Sequence, residues 1–416
     1  MTLQLWLSML LKNIVKYIPM SEGLNLLNIQ SPCFVLNEQD FKQGIHEFDY
    51  ALNNHFPHHI VGYSVKTNSL PYVVAKARDF GCFAEVVSDD ELELALACGY
   101  GMKEIVFNGP MKSKSQFLEA VMGGAIVNIE THREIAWLKE LPIDGHYKVG
   151  IRLSVNISDI SPEDADGDND FSRFGFNDST DEFAQAVAAI RAIPQVCLVG
   201  LHIHRTTHGR SVQFHRRSVA YAANVIWKYG LCLDYLDVGG GYYGIFRNAP
   251  TFNEYATAIY EALDEAGLID LTIIVEPGNA LIAAAFSYYS RIIDVKRLPD
   301  CTILTTDGSR NDVDPFFHKD RYMTEIHRKK ESAKVVPLQI VAGATCLEYD
   351  QLFRLENQQE MEVGDVIEYK NVGAYTLSLT PMFINYFPRV YSLSSDGLKL
   401  VRDKWTAKEY IQKSNI

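Results

Sequence analysis

The chain has 416 residues, 47% of them apolar and 22% charged, the composition of a soluble globular protein and too long for one ordinary compact domain. Its 39 basic residues against 52 acidic ones leave a formal charge of −13 and no basic stripe, so nucleic acid is not an expected partner and a small molecule is. No segment approaches the roughly 18 uninterrupted apolar residues of a membrane span, and the seven scattered cysteines contain no Cys-x-x-Cys pair, which argues against a disulfide framework or zinc knuckle and predicts a reducing cytoplasm.

In chain order, the run from Leu3 to Ile18 is apolar but interrupted by Lys12 and Lys16. It lacks an early basic region and a small-residue cleavage site, so it predicts an amphipathic helix packed on the body or on a partner subunit, with membrane-surface docking as the alternative, rather than a signal peptide. From about residue 42 to 290, short β-rich runs alternate with longer helical patterns, the signature of repeated βα units and a parallel sheet. The candidate strands are Ile60 to Val65, Phe83 to Val87, Glu104 to Phe107, Ala125 to Asn128, Val149 to Ser154, Cys197 to His204, Tyr235 to Val238 and Leu271 to Glu276. Eight such units predict a closed (β/α)8 barrel of the α/β class. After Ala285 the runs Tyr288 to Val295, Thr302 to Thr306, Val335 to Ala342, Asp365 to Tyr369 and Arg389 to Leu393 predict a second, mostly antiparallel β domain. Cys33 to Leu36 is expected to join it as an N-terminal strand, giving expected boundaries of 1–41, 42–285 and 286–416.

In such a barrel the chemistry sits at the carboxyl ends of the strands. Lys66, Glu85, Asn108, His204, Gly239 to Gly241 and Glu276 all fall near that edge. A lysine at a strand end is by itself more often a solvated gatekeeper, but a pocket that lowers its pKa makes it a Schiff-base nucleophile. Consecutive glycines after a strand let backbone N–H groups approach phosphate oxygens. A rim carboxylate such as Glu276 holds a cationic ring nitrogen protonated. Together the three features match the needs of pyridoxal 5'-phosphate: aldehyde anchor, phosphate anchor and pyridinium partner. No metal site is expected.

YSVKTN at 63 to 68, FAEVVSDDEL, GLHIH at 200 to 204, VGGGYYG, EPG and GATCLEYD resemble the motifs of the fold type III pyridoxal-phosphate enzymes, within them the ornithine/diaminopimelate decarboxylase family, from about Ser31 to Tyr391. The resemblance implies that Lys66 carries the cofactor, that Glu85 stands where the family usually has an aspartate, and that His204 stacks on the cofactor ring. It gives the phosphate to Gly239, Gly240 and Gly241 and the pyridine nitrogen to Glu276. It makes Cys346, four residues before Asp350, the proton donor contributed by the neighbouring subunit of a homodimer. Tyr375, within GAYT, becomes a phosphate or carbonyl-side contact. The implied reaction is decarboxylation of an amino acid or amino acid conjugate, with release of carbon dioxide and an amine.

The chain also departs from that family. Asn279 follows Glu-Pro-Gly where an arginine is common, and the segment Arg205-Thr-Thr-His-Gly-Arg-Ser211 replaces a short glycine-serine turn. Arg205 or Arg210 is the expected compensation, with Thr207 supplying a hydroxyl. Asp314 stands near the point where diaminopimelate decarboxylases use an arginine for the distal carboxylate, and Leu347 stands where an amine-reading acid is usual, with Glu348 and Asp314 out of register. The expected substrate is therefore neither simple diaminopimelate nor securely ornithine or lysine. The rival readings are a racemase or epimerase of the same barrel, against which the Cys346 to Asp350 motif speaks, and a cofactor-free regulatory homologue, against which the full set of site residues speaks.

Overall fold

The computed structural model describes residues 26–165, 172–205, 209–244, 248–330 and 332–415; the expected helix from Leu3 to Ile18 lies outside them. Asn37 ends strand β1 (Cys33–Asn37) and caps helix α1 (Glu38–Asn53), its side-chain oxygen accepting from the backbone N–H groups of Gln39 and Asp40 at 3.0 and 3.3 Å. Such a cap is worth about 1 kcal/mol. It turns the chain from the second domain into the barrel. Phe41, Ile45, Phe48 and Leu52 then recur at helical spacing and are buried along one face of α1.

All eight expected barrel runs form strands, each starting within two residues of its expected position: β2 (His59–Ser64), β3 (Phe83–Ser88), β4 (Ile105–Met111), β5 (Ile126–Ile129), β6 (Tyr147–Ser154), β8 (Val196–Ile203), β9 (Tyr235–Asp237) and β10 (Thr272–Val275). A two-residue strand β7 (Phe176–Asn177) adds to the end of β6. Every neighbour pair is parallel, β10 pairs with β2, and β5 pairs with β6, so the ring is closed.

The barrel interior has two levels. Val106, Tyr235 and Ile274 form an apolar plug separate from the main core. Tyr235 fits because Gly150 and Gly200 have no Cβ; one at either position would collide with its ring or hydroxyl. The Tyr235 hydroxyl donates to Asn128 Oδ1 at 2.9 Å, and above that contact lies a polar level of Asn128, Asn108, Asp237, His202, Glu85 and Glu276, all buried.

The second domain is a nine-stranded, mostly antiparallel sheet that takes in β1. Its other strands are β11 (Phe286–Arg297), β12 (Thr302–Thr306), β13 (Met323–His327), β14 (Val335–Ala342), β15 (Gln351–Gln359), β16 (Val366–Lys370), β17 (Arg389–Ser394) and β18 (Gly397–Arg402). β1 lies between β11, to which it is antiparallel, and β17, to which it is parallel. Strands β13, β15 and β18 have no counterpart among the sequence expectations. Each is an edge strand with one sheet neighbour, and most of its residues are exposed, so polar residues interrupt any apolar run. No helix among the described residues is long and apolar enough to cross a membrane.

Candidate active site

Strand β2 delivers the central side chain. Its last residue is Ser64, and a single 3-10 turn over Val65–Thr67 places Lys66 at the barrel mouth. Lys66 Nζ lies 2.7 Å from Ser64 Oγ and 2.5 Å from Glu85 Oε2. The Lys66 side chain is 36% exposed and Glu85 only 1%, so the amine stays reachable while its counter-ion does not. Burial alone would lower the lysine's pKa; Glu85 and then Glu276 outweigh it and the net shift is upward. The amine therefore enters the site as an ammonium, the opposite of the lowered pKa expected from the sequence. Glu85 is held ionised despite its burial by Lys66 and by hydrogen bonds from Ser64 and Asn108.

The polar level behaves as one unit. Asn108 Nδ2 donates to Glu276 Oε1 at 2.5 Å and to Glu85 Oε1 at 3.3 Å. Asn128 Nδ2 donates to Asp237 Oδ2 at 3.1 Å, and Gly239 N to Asp237 Oδ1 at 3.0 Å. Burial, then the charges of Asp237 and Glu85, pushes the Glu276 carboxyl well above its usual range, and burial lifts Asp237 to about 7. Three buried carboxylates facing one ammonium cannot all stay ionised. The Glu276 and Asp237 end of the level holds a proton.

The glycine turns form the opposite wall. Gly239 and Gly241 adopt φ of +68° and +94°, conformations that side-chain-bearing residues rarely adopt. A Cβ at Gly239 would run into the His204 ring, and one at Gly240 into the carbonyl of Glu276. Gly240 N donates to His204 Nδ1 at 3.1 Å. The His204 and His202 rings lie 8° from parallel with centroids 6.4 Å apart. Burial and then the Arg152 charge hold both imidazoles well below the usual histidine pKa, hence neutral. Tyr375 reaches the pocket from the second domain, its backbone N–H donating to Thr67 O at 2.9 Å. Gly278 and Asn279 complete the wall.

Of the sequence candidates, this pocket brings together Lys66, His204, Arg210, Gly240, Gly241, Glu276 and Tyr375, with Glu85 and Gly239 directly behind them. Thr207 lies outside the described residues. Arg205 does not line the pocket; its Nη1 donates to Val155 O at 2.9 Å. Asp314 is buried and accepts from Arg310 Nε and Nη2 at 2.9 and 2.8 Å, with further donors at the backbone of His318 and Lys319 and at Tyr322 Oη. Asp350 is buried and accepts from Thr345 Oγ1, Thr345 N, Arg310 N and Ser309 Oγ at 2.6 to 3.1 Å. Neither carboxylate has an oxygen to offer a ligand. Cys346 and Glu348 are exposed on the β14–β15 connection and line no part of the Lys66 pocket. Sequence reasoning left Ser64, Asp237 and His202 unassigned; a charge inside the apolar run Tyr235-Leu-Asp-Val238 was the available signal.

The pocket suits pyridoxal phosphate. Gly240, Gly241 and Gly278 line it without side chains, and Thr67 Oγ1 and both ring nitrogens of His202 are buried without a hydrogen-bond partner. Residues 42–283 match the family described as pyridoxal-dependent decarboxylase, pyridoxal binding domain. The chain belongs to this family. Among its relatives, a probable chloroplastic diaminopimelate decarboxylase of Oryza sativa subsp. japonica is 28% identical over 352 residues, 81% of this chain and 70% of that protein. The diaminopimelate decarboxylase of Methanocaldococcus jannaschii is 24% identical over 405 residues, 93% of this chain and 91% of that one. The L-glutamyl-[BtrI acyl-carrier protein] decarboxylase of Niallia circulans is 23% identical over 374 residues, 84% and 86% of the two chains. The crystal structure of the M. jannaschii enzyme in complex with L-lysine has the same fold, with a TM-score of 0.81, 23% identity, and coverage of 93% of this chain and 92% of that one. As a pyridoxal-dependent decarboxylase, the protein is a carboxy-lyase acting on an amino acid with pyridoxal phosphate as cofactor.

Proposed function

We propose that this decarboxylase carries its cofactor on Lys66 and works as a homodimer with shared sites, on an amino acid whose side chain presents no free distal carboxylate. The observation that carries the cofactor assignment is the Lys66 amine, reachable from solvent, set between buried Glu85 and Glu276 and facing the glycine turns. When bound, pyridoxal phosphate supplies the electron sink for the pair left on the substrate carbon after carbon dioxide departs. The protein's own groups do the rest. Glu276, with its carboxylate turned toward a cationic ring nitrogen, would keep that nitrogen protonated. Neutral His204 offers a flat face without repelling a cationic ring. Glu85 fixes the position of Lys66.

Protonation of the product carbon falls to Cys346. Its thiol stands exposed on a loop that Asp350 staples from within, beside Tyr349, which is 62% exposed and packs against Phe317. An apolar surface of this kind, with a reactive group in its midst, suits burial against a second copy of the chain.

The substrate reading rests on Asp314. Its two-point pair with Arg310 neutralises the guanidinium nearest this stretch, so a free distal carboxylate would sit there without a cationic partner, at a cost of several kcal/mol. A conjugated substrate removes that charge, and a relative 23% identical is named for a carrier-linked glutamyl group. The test is a carbon dioxide release screen over free amino acids and their amide or thioester conjugates. A side chain without a free carboxylate should give the best rate; meso-diaminopimelate turned over as fast as the best substrate overturns the reading.

A further inference from the structure

We infer that Arg210 is the cationic anchor for the cofactor's phosphate, held in place by Asn279, so that the charge another sequence would carry after Glu-Pro-Gly comes here from the β8–α2 loop, α2 being Val212–Lys228. The inference rests on the pyridoxal phosphate reading of the pocket.

The pocket is electrically divided. Glu85, Glu276 and Asp237 cluster in the polar level of the barrel, where Lys66 is engaged by Glu85 at 2.5 Å. Arg210 is the other lysine or arginine side chain lining the pocket among the described residues, and it stands at the glycine wall. Its guanidinium bridges the residue that follows each glycine turn. Nη1 and Nη2 lie 2.6 and 3.2 Å from the Asn279 amide oxygen, with the amide turned to accept, and Nη1 lies 3.4 Å from the carbonyl of Tyr242. Those two neighbours follow Gly278 and Gly241, which line the pocket without side chains.

The arginine is also held from behind. Its φ is +41°, in the left-handed region a non-glycine residue rarely adopts, and Tyr255 Oη donates to its carbonyl at 2.6 Å. The guanidinium packs over the Tyr243 ring with its carbon 5.4 Å from the centroid. Such support orients a side chain toward a particular place. Arg205, the other arginine of this segment, is tied to Val155 and does not line the pocket. Asn279 is thus a positioning residue: too short and uncharged to neutralise a phosphate, it accepts two hydrogen bonds from the group that can.

The test compares pyridoxal phosphate with pyridoxal, which lacks the phosphate, in equilibrium titrations of the full-length cofactor-free protein followed by absorbance. Arg210→Gln is expected to weaken pyridoxal phosphate by about 10- to 100-fold, the range of a lost hydrogen bond to a charged group, while leaving pyridoxal within about threefold of wild type. Arg210→Lys should retain part of the affinity. Arg210→Gln combined with Asn279→Arg should regain most of it. Equal weakening of both ligands in Arg210→Gln, or unchanged pyridoxal phosphate binding, overturns the anchor assignment. A wild-type protein that takes up neither ligand overturns the cofactor reading, and this one with it.

Discussion

The Lys66 pocket and the Cys346 loop are both stapled by buried carboxylates, yet they stand in opposite states. At the barrel mouth, Glu85, Glu276 and Asp237 converge with one ammonium, and unpaired atoms such as Thr67 Oγ1 face inward. At the β14–β15 loop, Asp350 meets four donors, and the thiol it frames faces outward. The first region gathers its groups from several barrel strands; the second is a single loop pinned by one carboxylate. Buried acids crowded around one ammonium are poised for chemistry, whereas a buried acid met by hydroxyl and backbone donors of its own loop is holding a shape.

The sharpest break of this comparison is Lys66→Ala. Turnover should fall by more than about a thousandfold, a loss at the scale of a single positioned acid–base group or beyond it, and borohydride reduction of the wild type should leave its pyridoxyl mark on Lys66 in peptide maps. A mark elsewhere removes Lys66 from the centre of the site. Next in size is Cys346→Ala, expected to lower kcat by roughly 10²- to 10⁴-fold with little change in cofactor absorbance. Mixed with Lys66→Ala chains, it should recover about a quarter of wild-type activity, because half the dimers are hybrids and each hybrid has one intact site of two. No recovery after verified subunit exchange would mean that the loop serves its own chain's pocket or none.

Asp350→Asn tests the shape-holding acid. It should cost about 1 to 3 kcal/mol in unfolding by denaturant, the penalty for leaving buried donors poorly matched, while the cofactor spectrum stays normal. A lost spectrum with unchanged stability would reverse the distinction between the two regions. The smallest effect concerns Asp237. Burial raises its folded pKa to about 7 from its ordinary value of 3.8, so the stability it contributes is complete below about pH 4 and is lost as pH climbs to about 7. Asp237→Asn should flatten that part of the curve of Tm against pH for cofactor-free protein. Parallel curves for variant and wild type would show that the proton resides elsewhere.

Much of the barrel was legible because its strands are buried on both faces and read as apolar runs closed by a polar residue, as at Ile60 to Ser64 and Tyr235 to Asp237. Strands β13, β15 and β18 were not, since an edge strand takes its order from its neighbour and keeps exposed polar residues. Within the site, placement at strand ends and the motif resemblance singled out Lys66, His204 and Glu276. It could not separate Arg210 from Arg205, five residues apart on one segment, because their directions depend on a left-handed turn and on contacts to Asn279 and Val155.

By itself the sequence determined the barrel and the second sheet, because periodicity and residue type act locally and survive without coordinates, and its motifs carried the resemblance to the family. Only the tertiary structure decided which charges are spent and which are open. Lys66 is an ammonium because two glutamates from other strands meet it, and Asp314 and Asp350 are closed because donors from elsewhere in the β domain fill them. Protonation and hydrogen-bond saturation depend on what surrounds a group in space, and the linear order of residues does not carry that information.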